Sequence, residues 1–287
     1  MTTNALHDLV DYFNNRFEYE HNANYRPLTV ENDRVHGFFG QLRISSVFSP
    51  IREKNRLETI TGQAVKIKVD AVESLHLHSY EIENLTANAK IADSQFESVI
   101  NFDRLARTVH MLNYLPQANE NTQLFLEVDP RHILGVKQDH GAYFESVIAQ
   151  CGLATKNTII VLAITRHYVT YNEALIRGLK NYRQRHYKIA LRFDYLVSEK
   201  HAFELISKLS PDYVSLSARQ MEMESGESAL KKLQTLKNVM NATQSLGILR
   251  QVDRRKSEIL AESSGFDFVE GRYYEHKLVN SKHVNGF

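Results

Sequence analysis

Between Gln123 and Val269 the chain alternates short apolar runs with longer amphipathic segments, and this alternation constrains the fold more than any other feature. The runs are Gln123–Val128, Thr158–Ile164, Lys188–Asp194, Tyr213–Leu216, Ile248–Val252 and Phe266–Val269. Apolar runs of about four to eight residues set between helical patterns read as strands buried on both faces. The intervening segments are Ala142–Cys151, Asn172–Arg185, Ser198–Leu209, Ser228–Ser245 and Arg254–Glu262. Their apolar residues recur at helical spacing, as Ala229, Leu233, Leu236 and Met240 do in the fourth. Pro211 ends one helix, Gly247 is placed as the C-cap of the next, and Gly265 lies beyond the last. Such alternation gives a parallel sheet with right-handed crossovers.

Two earlier stretches, Leu42–Ile51 and Ala64–Val69, bring the strand count to eight. That number favours a closed (β/α)8 barrel over an open doubly wound sheet. In the second stretch Val65, Ile67 and Val69 alternate with Lys66 and Lys68, so one face is expected to meet water. Phe102–Leu115 reads as a helix, with capping-box spacing in Ser94-Gln95-Phe96-Glu97 just before it. Residues 1–20 read as an amphipathic helix through Leu6, Leu9, Val10, Phe13 and Phe17, with Asn4 as cap. This helix is expected to pack on the main domain, the alternative being a dimer or partner helix. Residues 21–40 are polar and read as a linker. The expected organisation is therefore helix and linker over 1–40, barrel over 41–275, and a C-terminal tail over 276–287.

Composition excludes several function classes. Lys and Arg total 35 against 34 Asp and Glu, so no bulk charge recruits nucleic acid or a membrane surface. A single cysteine, Cys151, permits no internal disulfide and suits a reducing compartment. Without an apolar run of about 18 residues or a signal-like start, a soluble cytoplasmic protein is expected. No glycine-rich phosphate loop follows any strand, which disfavours nucleotide binding of the Rossmann or P-loop type. His76-Leu77-His78 lacks further ligands and reads as surface.

The strand ends carry an outline. Phe48-Ser49-Pro50-Ile51, Gly62-Gln63-Ala64-Val65 and Leu126-Glu127-Val128-Asp129-Pro130 follow one another in order. Then come Leu162-Ala163-Ile164-Thr165-Arg166, Ala190-Leu191-Arg192-Phe193-Asp194, Pro211 to Ser217, and Val269-Glu270-Gly271-Arg272. Together they resemble the EAL-domain family, barrel phosphodiesterases that hydrolyse cyclic di-GMP with two divalent cations. The resemblance spans about Gln41 to Glu275.

That resemblance also implies a loss of chemistry. The family's metal-binding signature glutamate falls on Gln63, its substrate-side glutamine on Ser49, its ligand asparagine on Glu127 and a further ligand glutamate on Ala163. The consecutive aspartates that hold the metals fall on Arg192 and Phe193; sliding by one residue recovers Asp194 but no adjacent acid pair. The lysine beside the attacking water falls on Ser215, with Ser217 where an aspartate is expected. A later glutamate falls on Asp253 and a glutamine on Glu270. Two-metal hydrolysis needs clustered hard oxygen ligands, and a guanidinium among them repels a divalent cation. No catalytic residue, no metal ligand and no cofactor is therefore expected.

Arg166, Arg192 and Arg250, with Arg254 just beyond, are placed around the expected barrel mouth. They could form an anion or phosphate site, since arginine forks match oxyanions. Alternatively Arg192 pairs internally with Glu127 or Asp253, the preferred reading because acids arrive at neighbouring strand ends. The resemblance implies a non-catalytic regulatory protein whose partner is another protein, such as a transcription regulator or signalling protein. A homodimer is compatible with it, and a non-hydrolysing receptor for cyclic di-GMP or another anionic nucleotide is the alternative.

Overall fold

A computed structural model describes residues 3–21, 25–71, 93–137, 139–193, 199–223 and 226–284. The expectations that rested on His76, His78 and Asp194 lie outside these residues. The strands are β1 (Leu28–Glu31), β2 (Arg34–Phe39), β3 (Leu42–Glu53), β4 (Arg56–Ala71), β5 (Gln123–Glu127), β6 (Thr158–Ile164), β7 (Lys188–Phe193), β8 (Tyr213–Ser217), β9 (Leu246–Arg250) and β10 (Phe268–Val269). The helices are α1 (Thr3–His21), α2 (Asp93–Tyr114), α3 (Pro130–Gly135), α4 (Ala142–Gln150), α5 (Asn172–Gln184), α6 (Glu199–Leu209), α7 (Ala218–Met221), α8 (Gly226–Ala242), α9 (Arg255–Ser263) and α10 (Arg272–Val284).

Strands β3 to β10 close into an eight-stranded barrel, because β3 pairs with β4 on one side and with β10 on the other. The ladders from β4 round to β10 are parallel, as the alternation predicts. β3 is antiparallel to both neighbours. The cause is local: Glu53 pairs with Arg56 across two residues, and so short a link joins only antiparallel strands. β6 is buried along its whole length on both faces, which is why it reads as one apolar run.

Residues 25–40 are not a linker. Glu31 pairs with Arg34 across Asn32-Asp33, whose φ angles of 51° and 58° give the doubly left-handed turn suited to hairpins. The resulting β1–β2 hairpin extends the sheet beyond β3. Two asparagines finish its open hydrogen bonds. The Asn14 amide donates to Leu28 O and accepts from Leu28 N, both at 2.9 Å. Asn113 does the same for Val35, at 2.7 and 2.8 Å, where β2 parts from β3. Backbone groups that would otherwise be buried without partners are thereby satisfied.

Helix α1 packs on the body through Leu6, Val10, Phe13 and Phe17, all buried. It begins at Thr3, so Asn4 lies inside it rather than capping it. Two further expectations are corrected at the C-terminal end. Gly247 is no helix cap but lies in β9, where Met240 and Phe266 leave no room for a Cβ. Residues from 276 onward are not simply a tail, because α10 runs to Val284. Its Glu275 receives two hydrogen bonds from the buried Arg52 of β3, from Nε at 3.0 Å and Nη2 at 3.1 Å, while Arg52 Nη1 donates to Leu57 O. Glu275→Gln should cost about 1–2 kcal/mol in denaturant unfolding, between the values for exposed and buried pairs. A change within about 0.3 kcal/mol would show that α10 is not anchored there.

Candidate functional site

Side chains of a strand alternate between faces, and here one face points into the barrel. Ile51, Phe125, Ile159, Val161, Ala190, Tyr213 and Ile248 fill the interior, with Ala64 and Phe268 against them. Two residues further along the parallel strands lie the next inward positions, at the carboxyl end where α/β barrels build their sites. These are Lys66, Glu127, Ala163, Arg192, Ser215, Arg250 and Glu270. Apart from Ala163, each lines a cavity of about 40 Å³ whose floor includes Phe125, Val161 and Ile248.

Charges of both signs meet at this mouth. Arg192 donates from both terminal nitrogens to the two carboxylate oxygens of Glu127, one of the bonds at 2.6 Å. The pair reaches across β6, since Glu127 stands beside Val161 and Arg192 beside Ala163. The small Ala163 leaves the guanidinium room to cross. Lys66 Nζ lies 3.8 Å from Glu270 Oε1, and Glu270 is buried. Gln251, in the left-handed region at φ 58°, donates its backbone N–H to Glu270 Oε2 at 3.3 Å, and its Oε1 accepts from Ser217 Oγ. Gly271 lets the segments that follow β9 and β10 approach closely, because a Cβ there would lie 2.2 Å from Val252 O.

The structure sorts the residues that the sequence singled out. Glu127, Arg192, Ser215, Arg250 and Glu270 meet at the mouth. Of the two acids offered to Arg192, Glu127 takes it; Asp253 instead accepts from the Arg272 backbone N–H at 3.0 Å, at the start of α10. Gln63 does not face the mouth, because its neighbours Gly62 and Ala64 point inward and strand alternation turns it out. Phe193 is likewise on the outer face, buried among the helices. Ser49 pairs with Ala64 but does not line the cavity. Arg254 is exposed at the residue before α9, and the Arg166 side chain is outside the described set. Lys66 was missed as a site residue, although its alternation with Val65 and Ile67 marked it as leaving the apolar face.

Among the described residues no three His, Cys, Asp or Glu side chains are grouped so as to hold a metal ion. No helix among them is long and apolar enough to cross a membrane.

Neither a family model nor a curated protein matches the chain. Solved structures do. Klebsiella pneumoniae BlrP1, in a complex with calcium and cyclic di-GMP, superposes with a TM-score of 0.63 at 15% identity, over 79% of this chain and 54% of that one. The Bacillus subtilis YkuI protein, with an EAL domain and solved with cyclic di-GMP as substrate and calcium, gives 0.59 at 17% identity, over 80% and 54%. The EAL enzyme Bd1971 in its cGMP-bound form gives 0.58 at 14% identity, over 80% and 61%. The chain thus spans little more than half the length of these neighbours. At such identities the likeness concerns architecture: this chain folds as an EAL-like barrel, closed by one reversed strand and preceded by a helix and a hairpin.

Proposed function

We propose that this chain is a non-hydrolysing EAL-like barrel that regulates by binding another protein. The single observation that carries the reading is the occupation of the strand ends by Arg192 and Glu127. A permanently charged guanidinium stands where the resemblance puts a metal-bridging carboxylate, and it engages the nearest acid with both nitrogens. Two cations held about 4 Å apart need several hard oxygen ligands around them. The inward positions of β6 and β8 offer only Ala163 and Ser215, so the described residues at the mouth do not fit a metal pair.

The test is incubation of the full chain with cyclic di-GMP and magnesium or manganese, followed by chromatography for the linear dinucleotide. No product above the protein-free rate is expected; chelator-sensitive turnover would overturn the reading. Calorimetry with the same nucleotide should be flat. The second reading, a receptor for an anionic nucleotide, is supported by the meeting of Arg192 and Arg250 at one cavity. Saturable heat lost in Arg192→Ala would favour it.

A further inference from the structure

On α9 the exposed positions Arg255, Lys256, Ile259 and Glu262 form a stripe at helical spacing, and Ile259 is 51% exposed within it. Helix α7 packs beside α9. Two bonds fix the segment that leaves α7: Lys256 Nζ donates to Glu222 O at 3.0 Å, and Ser257 Oγ donates to the Glu222 carboxylate. The next residue, Met223, is 85% exposed. Two large apolar side chains therefore stand in water close to Lys256. The cations around them have no internal use. Lys256 meets a backbone carbonyl, while Arg219 on α7 and Arg254 just before α9 are exposed. No carboxylate among the described residues pairs with any of the three. The nearby acids are engaged elsewhere, Glu258 by Arg255 and Lys277 and Asp253 by Arg272. Arg254, Arg255 and Lys256 also open a helix, where its dipole disfavours positive charge, so stability does not account for them.

We propose that this face of α7 and α9 docks an acidic segment of a partner protein. Its carboxylates meet Arg219, Arg254 and Lys256, and its apolar side chains cover Met223 and Ile259. The inference rests on the protein-partner reading and names the surface that serves it. Charge selects the occupant: the three cations outnumber Glu222 and Glu262, the carboxylates on the same face, so a basic segment is repelled. A uniform polyanion, such as nucleic acid or an anionic bilayer, would have to cover those two acids along with the apolar pair. A protein segment can place its own charges between them and leave the acids in water. The arrangement, with apolar anchors in the middle and charges around them, is that of a protein interface.

Selection of peptides from a random display library on the immobilised full chain tests it. The selected sequences should be rich in Asp, Glu and large apolar residues. A synthetic copy of one should bind the wild type in calorimetry and lose at least about tenfold in affinity in Met223→Ser and in Lys256→Glu. Tyr19→Ala, on α1, should bind as the wild type does. Met223 and Lys256 are exposed, and reversing Lys256 suits the helix dipole, so the melting midpoint should hold in both variants and unfolding cannot mimic the loss. Enrichment of basic peptides, or an affinity indifferent to both substitutions, would overturn the proposal. Vesicles of phosphatidylcholine and phosphatidylserine that sediment the wild type but not Lys256→Glu would overturn it in favour of a membrane surface. A concentration-dependent mass in sedimentation, lost in Met223→Ser, would overturn it in favour of a second copy of this chain. The two readings fail separately: turnover of cyclic di-GMP overturns the non-hydrolysing one, whereas indifference to the substitutions overturns only this surface.

Discussion

Asp103→Asn is expected to lower the folding free energy by about 3–5 kcal/mol at neutral pH, the cost of stranding a charge in the interior. Asp103 lies on α2, one turn before Arg107, and both are buried between α2, α3 and α5. Its Oδ2 lies 2.5 Å from Arg107 Nη2 and 2.9 Å from His132 Nδ1, an ion-pair contact; its Oδ1 accepts from the Asp129 backbone N–H at 3.2 Å. The Arg107 guanidinium packs over the Phe144 ring at 4.7 Å, leaving it no route to water. Burial alone would raise the Asp103 pKa. The charge of Arg107, with His132 and the Asp129 amide, outweighs that and holds it at about 2. Burial also lowers the pKa of His132, with Asp103 opposing.

The pH dependence follows from the depressed carboxyl. The stabilisation is fully present above the ordinary carboxylate value of about 4 and is lost as pH falls toward 2. Urea unfolding of wild type and variant should therefore differ most near neutrality and converge under acid. A neutral-pH difference below about 1 kcal/mol would mean that the network is not charged as described.

Phe13→Ala should cost a further about 3–5 kcal/mol, as expected for emptying a fully buried aromatic site. Phe13 is 1% exposed and belongs, with Leu6, Val10 and Phe17, to the same apolar cluster as the barrel strands and helices. The helix is held at its rim as well: Arg16 lies 4.1 Å over the Tyr143 ring and donates to Ser146 Oγ at 2.8 Å. Tyr19, on the same helix, is 88% exposed, and its replacement by Ala should change stability by no more than about 0.5 kcal/mol. The contrast distinguishes an integral helix from a detachable partner helix. Two unfolding transitions in the Phe13 variant, or a loss no greater than that of the Tyr19 control, would favour the detachable one.

Much of this molecule is legible in the sequence because its cause is local. A strand covered on both faces must be apolar throughout, so Thr158–Ile164 declares itself. A helix lying on a barrel needs one apolar stripe, so Ala229, Leu233, Leu236 and Met240 place α8. The arginine at the end of β7 is equally plain, as are the acids on nearby strand ends.

The tertiary structure alone decided the remainder, since pairings between distant residues leave no local periodicity. Whether Arg192 would meet Glu127 or Asp253 depended on barrel closure and on Ala163 leaving space between two strands. Lining up motifs put Gln63 and Phe193 in the site, but a strand has two faces and only its register in the barrel chooses between them. Residues 25–40 looked like a linker because their hairpin depends on amides from Asn14 and Asn113, supplied by helices elsewhere in the chain. The sequence by itself thus determined the barrel and its charged strand ends. Which of those charges meet is a long-range property, settled only when the ring of strands closes.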